Sequence, residues 1–242
     1  MKKDKKVKKG PVKTGKRKKR LRLPNEIIAI PNPDKLFHEN WKAGRNMANI
    51  PHPFRGVLLG PPNVGKTTLV KNILLRADPP FEEVVVIHCD SEYTKEYDDV
   101  EAEILTEIPT PEDWEGEVKT LVILDDLEYK GMGKEQKRNL DRLFGYVSTH
   151  KNISCLLCSQ DAFNVPPIVR RCSNVFILWK TPDMDSMSNI SRKSGLKKDE
   201  LSNIFKNVCK DIRDSLMIDL TPKTPYPLRK NIFINLKKNI DI

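Results

Sequence analysis

From residue 54 onward, short apolar runs alternate with stretches whose hydrophobic positions recur at helical spacing. The runs at 55–59, 83–89, 120–124, 153–159 and 174–179 are almost continuously hydrophobic, which predicts strands buried on both faces. Between them, 66–76 and 134–149 read as helices, the second with Leu140, Leu143, Phe144 and Val147 along one side. Such alternation predicts an α/β fold with a mostly parallel central sheet flanked by helices. Past residue 180, the charged segments 184–193 and 198–214 read as helices forming a small lid or an inter-subunit surface. A last apolar run at 231–236 reads as an edge strand, and the proline-bearing stretch 221–228 as a loop.

The first apolar run leads into Gly60-Pro61-Pro62-Asn63-Val64-Gly65-Lys66-Thr67, followed by Thr68 and the helical stretch. A glycine loop between a strand and a helix aims backbone N–H groups and a helix N-terminus at phosphate oxygens, so residues 60–68 read as a nucleotide phosphate cradle. Lys66 would reach the β- and γ-phosphates, and the Thr67 hydroxyl would bind Mg²⁺. The blander reading is a glycine turn capping an ordinary helix.

A phosphate cradle needs a carboxylate at the tip of a strand beside the first, and Leu121-Val-Ile-Leu-Asp125-Asp126 supplies a pair. Asp125 is expected to hold the metal and Asp126 to polarise the attacking water. Gln160, ending the run 153–159, is placed as a polar sensor of the γ-phosphate. For a cation to neutralise transition-state charge, Arg170 and Arg171 compete with Arg138 and Arg142, and the first two are preferred. The residues thus point to ATP with Mg²⁺, with Lys66, Asp125, Asp126, Gln160, Arg170 and Arg171 as catalytic candidates.

Charge changes the picture at one end. The chain carries 43 basic and 33 acidic side chains, and thirteen of the basic ones with a single acid, Asp4, lie in residues 1–22. That segment more than accounts for the excess, leaving the rest of the chain slightly acidic, and has too little apolar surface to fold alone, so it reads as a disordered polycation, either a nucleic-acid arm or a solubilising tail. Residues 23–50 are expected to run onto the core as an extended and helical segment, with Asp34 capping a helix through Trp41. The ATPase domain would then occupy 51–242.

No apolar stretch approaches the length of a membrane span, which with five unpatterned cysteines implies a soluble, intracellular protein. Cys155 and Cys158 have metal-like spacing, but they lie in an apolar strand and read as core thiols on opposite faces. His38, His52, His88 and His150 show no metal-like spacing, and Trp41, Trp114 and Trp179 read as core or interface rings.

His52-Pro-Phe-Arg-Gly-Val-Leu-Leu-Gly60 running into the cradle, the Asp125-Asp126 strand end, and Cys158-Ser-Gln160 together resemble the DNA-packaging ATPases of the FtsK-HerA superfamily, of the poxvirus and virophage type. The likeness spans roughly residues 50–180. It implies a RecA/FtsK-HerA-like core and ATP hydrolysis driving double-stranded DNA into a preformed capsid. The partners it implies are a homo-oligomeric ring, pentamer or hexamer, and a capsid or vertex protein; the location is the virion or a viral factory. Relatives often carry Glu as the second acid, and Asp126 is one methylene shorter. The alternatives are a cellular or plasmid translocase, a P-loop kinase for a small molecule, and a nucleotide-gated DNA-binding module.

Overall fold

The computed structural model describes residues 45–90, 95–180 and 185–236. The basic tail, the helix expected from Asp34 to Trp41, Trp41 itself and His38 lie outside the described residues.

Among the described residues, nine strands form one sheet. They are β1 (Arg55–Leu59), β2 (Glu83–His88), β3 (Glu103–Leu105), β4 (Thr120–Asp125), β5 (Ile153–Ser159), β6 (Val175–Trp179), β7 (Ser215–Asp219), β8 (Leu228–Lys230) and β9 (Ile234–Asn235). Their order is β3-β2-β4-β5-β1-β6-β7-β8-β9. The first six run parallel, and the last three continue the sheet antiparallel.

The strands read as apolar throughout because both faces are covered. Alternate residues separate cleanly: Val57, Val122, Leu124 and Leu157 face one core, and Leu58, Leu121, Ile123 and Leu156 the other. On the second face lies α1 (Lys66–Leu75), burying Leu69, Val70 and Ile73. The first face is covered by α2 (Lys134–Arg142), which continues through a π-helical turn at Leu143–Val147, and by α3 (Pro167–Cys172), α4 (Asp185–Ser194) and α5 (Lys198–Val208). Within the π turn, the Phe144 carbonyl accepts from Arg55 Nη1 at 3.1 Å. Cys155 and Cys158 are buried on opposite faces, and Trp114 and Trp179 are core rings.

Four expectations need correction. The acid-bearing strand does not neighbour the cradle strand, because β5 lies between β1 and β4. The helix expected to reach residue 214 stops at Val208, and residues 215–219 form β7, fully buried beside β6. Nor does α5 stand off as a lid: Leu201, Ile204, Phe205 and Val208 belong to the core. The edge run at 231–236 holds only the two-residue β9.

Among the described residues, no helix is long and apolar enough to cross a membrane.

Candidate nucleotide site

In a parallel sheet the carboxyl ends of all strands open on the same edge, which is where α/β proteins bind ligands. Here the tips of β1, β2, β4, β5 and β6 bring residues 62–68 of the loop, His88, Asp125, Asp126, Gln160 and Trp179 to one cleft of about 1210 Å³. The loop leaves β1 at Gly60, whose N–H donates to the Ser159 carbonyl at 3.2 Å. A side chain at Gly60 would meet the Trp179 Cβ at 2.7 Å, so only glycine allows the strand tips to come this close. At the other end, Gly65 adopts φ +100° and serves as N-cap of α1, a conformation open to glycine at no steric cost. Together they leave the helix N-terminus facing the cleft.

Lys66 Nζ folds back over its own loop, donating to the carbonyls of Gly60 at 2.8 Å and Pro61 at 2.9 Å. The two carbonyls hold the ammonium at the mouth of the loop, from which it can transfer to phosphate oxygens. Although β5 separates β4 from β1, Lys66 is near enough to Asp125 to stabilise its carboxylate electrostatically. Burial nevertheless raises the Asp125 pKa above the ordinary carboxylate range. The hydrogen bond from Tyr97 opposes that, Asp126 adds to it, and His88 and Lys66 oppose it.

Asp126 takes a left-handed backbone, φ +48°, which turns the chain sharply away from β4. Its carboxylate accepts from Gln160 Nε2 at 3.1 Å, so the expected catalytic acid and the expected sensor touch. Cys158, paired in register with Asp125, is a buried thiol pushed well up by desolvation.

Neither Arg170 nor Arg171 lines this cleft. They end α3, where Lys193 Nζ donates to both of their carbonyls at 2.8 and 2.5 Å. Arg138 and Arg142 also lie outside it. Arg213, just before β7, does line it, and so do Glu96 and Tyr97 from the connection between β2 and β3.

Those last two were not marked by the sequence, yet they touch the most exacting atoms of the site. Thr67 Oγ1 donates to Glu96 Oε2 at 2.5 Å, and the Tyr97 hydroxyl donates to Asp125 Oδ2 at 2.7 Å. Lys71 on α1 bonds Asp99 at 2.5 Å, giving the same segment a third attachment. The Thr67 hydroxyl with the Asp125 and Glu96 carboxylates form a hard oxygen set of the kind that suits Mg²⁺ alongside phosphate oxygens. The one signal available beforehand was that residues after a strand next to β4 must emerge at the same edge.

Tyr97 supplies a direct test. Its hydrogen bond favours the ionised form of Asp125, so Tyr97→Phe raises the Asp125 pKa further. The acid limb of Mg²⁺-dependent nucleotide binding should therefore move to higher pH, measured by titrating affinity across the acidic range; an unmoved limb would disprove the coupling.

Fold and cleft together define a P-loop nucleoside triphosphatase. Residues 57–192, more than half of the chain, match the ATPase family associated with various cellular activities (AAA), and the chain belongs to that family. It is an ATPase.

No curated protein matches the chain. Among solved structures, it is similar to the genome packaging NTPase B204 of Sulfolobus turreted icosahedral virus 2 in complex with AMPPCP. The TM-score is 0.52 at 18% identity, covering 73% of this chain and 96% of that one. B204 of Sulfolobus turreted icosahedral virus, described as a DNA-packaging ATPase, gives 0.50 at 16% identity, covering 74% and 97%. At such identities the likeness defines the fold.

Proposed function

We propose that this ATPase drives double-stranded DNA through a ring of its own subunits and packages a viral genome into a preformed capsid. The observation that carries the motor part is the contact between Gln160 and Asp126 at the lip of the phosphate cleft. A polar side chain bonded to the acid that orients the attacking water couples the state of the γ-phosphate to the tip of β5. A kinase site has no need of that linkage. Support for the packaging part is the fold shared with B204 across nearly all of that chain, and the polycationic segment 1–22, which fits a polyanionic partner.

In this reading Lys66 leaves the Gly60 and Pro61 carbonyls and moves onto the β- and γ-phosphates. Thr67 and Asp125, with Glu96 beside Thr67, would hold Mg²⁺, which when bound would neutralise charge on the phosphate oxygens. Asp126 accepts a proton from the attacking water, with its carboxylate aimed by Gln160. Arg170 and Arg171, standing off their own chain's cleft, act as a finger only toward a neighbouring subunit. Among the described residues lining the cleft, Arg213 is the arginine supplied by the same chain.

The decisive experiment measures phosphate release with and without double-stranded DNA, alongside the assembled mass. The expected result is a ring whose hydrolysis rises severalfold with DNA of any sequence, with DNA affinity falling steeply as salt increases. Turnover indifferent to DNA, or phosphate delivered to a small acceptor, would defeat the proposal.

A further inference from the structure

The cradle fixes the phosphate end of a nucleotide but leaves open where its base goes. From Lys66 the cleft runs along α1 past Asn72, about 9 Å of helical rise further on, to Phe233 in the turn between β8 and β9. Among the described residues, three Phe, Tyr or Trp side chains line it, and two are spent on packing: Tyr97 is 3% exposed and Trp179 is 2% exposed. Phe233 is 42% exposed. The Arg76 guanidinium covers its ring at 4.5 Å from the centroid, yet Arg76 is not among the residues lining the cleft, whereas Phe233 is. One face of the ring is therefore engaged by Arg76, while Phe233 lines the cleft and keeps part of its surface open.

The backbone is strained to put it there. Asn231 and Ile232 both have left-handed φ, +50° and +58°, and for a β-branched isoleucine that is a costly conformation. The surroundings hold it in place. Asn231 Oδ1 accepts from the Ser215 N–H at 2.8 Å, the Asn231 N–H donates to the Ser215 carbonyl at 2.9 Å, and the Phe233 N–H donates to the Lys230 carbonyl at 3.2 Å. The Ile232 side chain is buried in the same core as α1, and its carbonyl accepts from the buried Arg229 at 3.3 Å. A turn held at this cost presents its next residue as an exposed aromatic ring at the mouth of a phosphate cleft.

We infer that Phe233 is the nucleobase platform of this ATPase: a purine stacks on the ring face opposite Arg76, and the antiparallel β7–β9 extension exists in part to carry it. The inference rests on the nucleotide reading of the same cleft. Stacking on a ring is tolerant of base edges, so this subsite adds affinity for purine nucleotides over bare polyphosphate rather than strict selection of one base.

The test measures binding of Mg-ATP and of Mg-tripolyphosphate to the wild type, Phe233→Ala, Phe233→Leu and Phe233→Tyr. Stacking predicts that Ala and Leu weaken ATP about 5- to 100-fold and leave tripolyphosphate unchanged, while Tyr stays near wild type. The leucine variant keeps apolar bulk without a π face, so a failure of the alanine variant to fold leaves the question answerable. Unchanged ATP affinity in the leucine variant, or parallel losses for both ligands, would overturn the inference. A wild type that binds neither ligand would instead bring down the nucleotide reading itself.

Discussion

Replacing Lys66 by alanine is expected to lower the rate of ATP hydrolysis about 10³-fold while leaving the melting temperature within a degree or two of wild type. Removing a single preorganised group that meets developing charge costs about 2.7–4 kcal/mol of transition-state stabilisation. In the proposed mechanism Lys66 is such a group, its ammonium standing on the Gly60 and Pro61 carbonyls. Those two bonds contribute little to the fold. The shape of the loop comes from the left-handed turns at Asn63 and Gly65 and the contact of Gly60 with Trp179, none of which needs the lysine. Single-turnover hydrolysis with thermal unfolding of the same sample checks both halves; activity within tenfold of wild type would refute the assignment.

The largest effect on stability is expected at Asp219, the last residue of β7. Its carboxylate accepts from Arg229 Nη2 at 2.9 Å, Arg45 Nη1 at 3.0 Å, the Thr221 N–H at 2.9 Å and Thr224 Oγ1 at 2.8 Å. Arg229 is itself 0% exposed, and burial pulls its pKa down while the Asp219 charge opposes that. Truncation to Asp219→Ala leaves a buried guanidinium without its counter-charge, a defect that costs about 3–5 kcal/mol. For a chain of this size the melting temperature should fall by about 10 °C. Adding Arg229→Met to the first change should recover part of the loss, because the stranded charge goes with it. A double variant less stable than the single one would show that the ion pair is not the cause.

The parallel half of the molecule was legible from sequence because its chemistry is local. A strand buried on both faces is an apolar run, a phosphate loop must have its glycines between such a run and a helix, and Asp125 with Gln160 could be placed from the strand tips alone. What local pattern does not carry is lateral order: nothing in residues 120–126 says that β5 stands between them and the cradle. The end of α5 was misread for a different reason. Charged residues continue at helical spacing past Val208, but the Asp214 carboxylate accepts from the backbone N–H groups of Lys210 and Asp211 at 3.1 and 3.0 Å, closing a turn that commits 215–219 to the sheet. Glu96 and Tyr97 sit in a polar segment without periodicity. Phe233 follows two residues whose backbone conformation no propensity favours. Both contributions depend on distant partners.

The placement of β5 has a mechanical corollary. Its ladder pairs Ser159 with Leu59 on one side and Cys158 with Asp125 on the other, so three chemical tips stand at heights fixed by hydrogen-bonded rungs. Sliding any of these strands by one rung would reverse which side chains point into the two cores, a penalty far beyond what a nucleotide can repay. The base of the cleft therefore behaves as an anvil, and whatever stroke this ATPase delivers has to be taken up by the connections above the sheet.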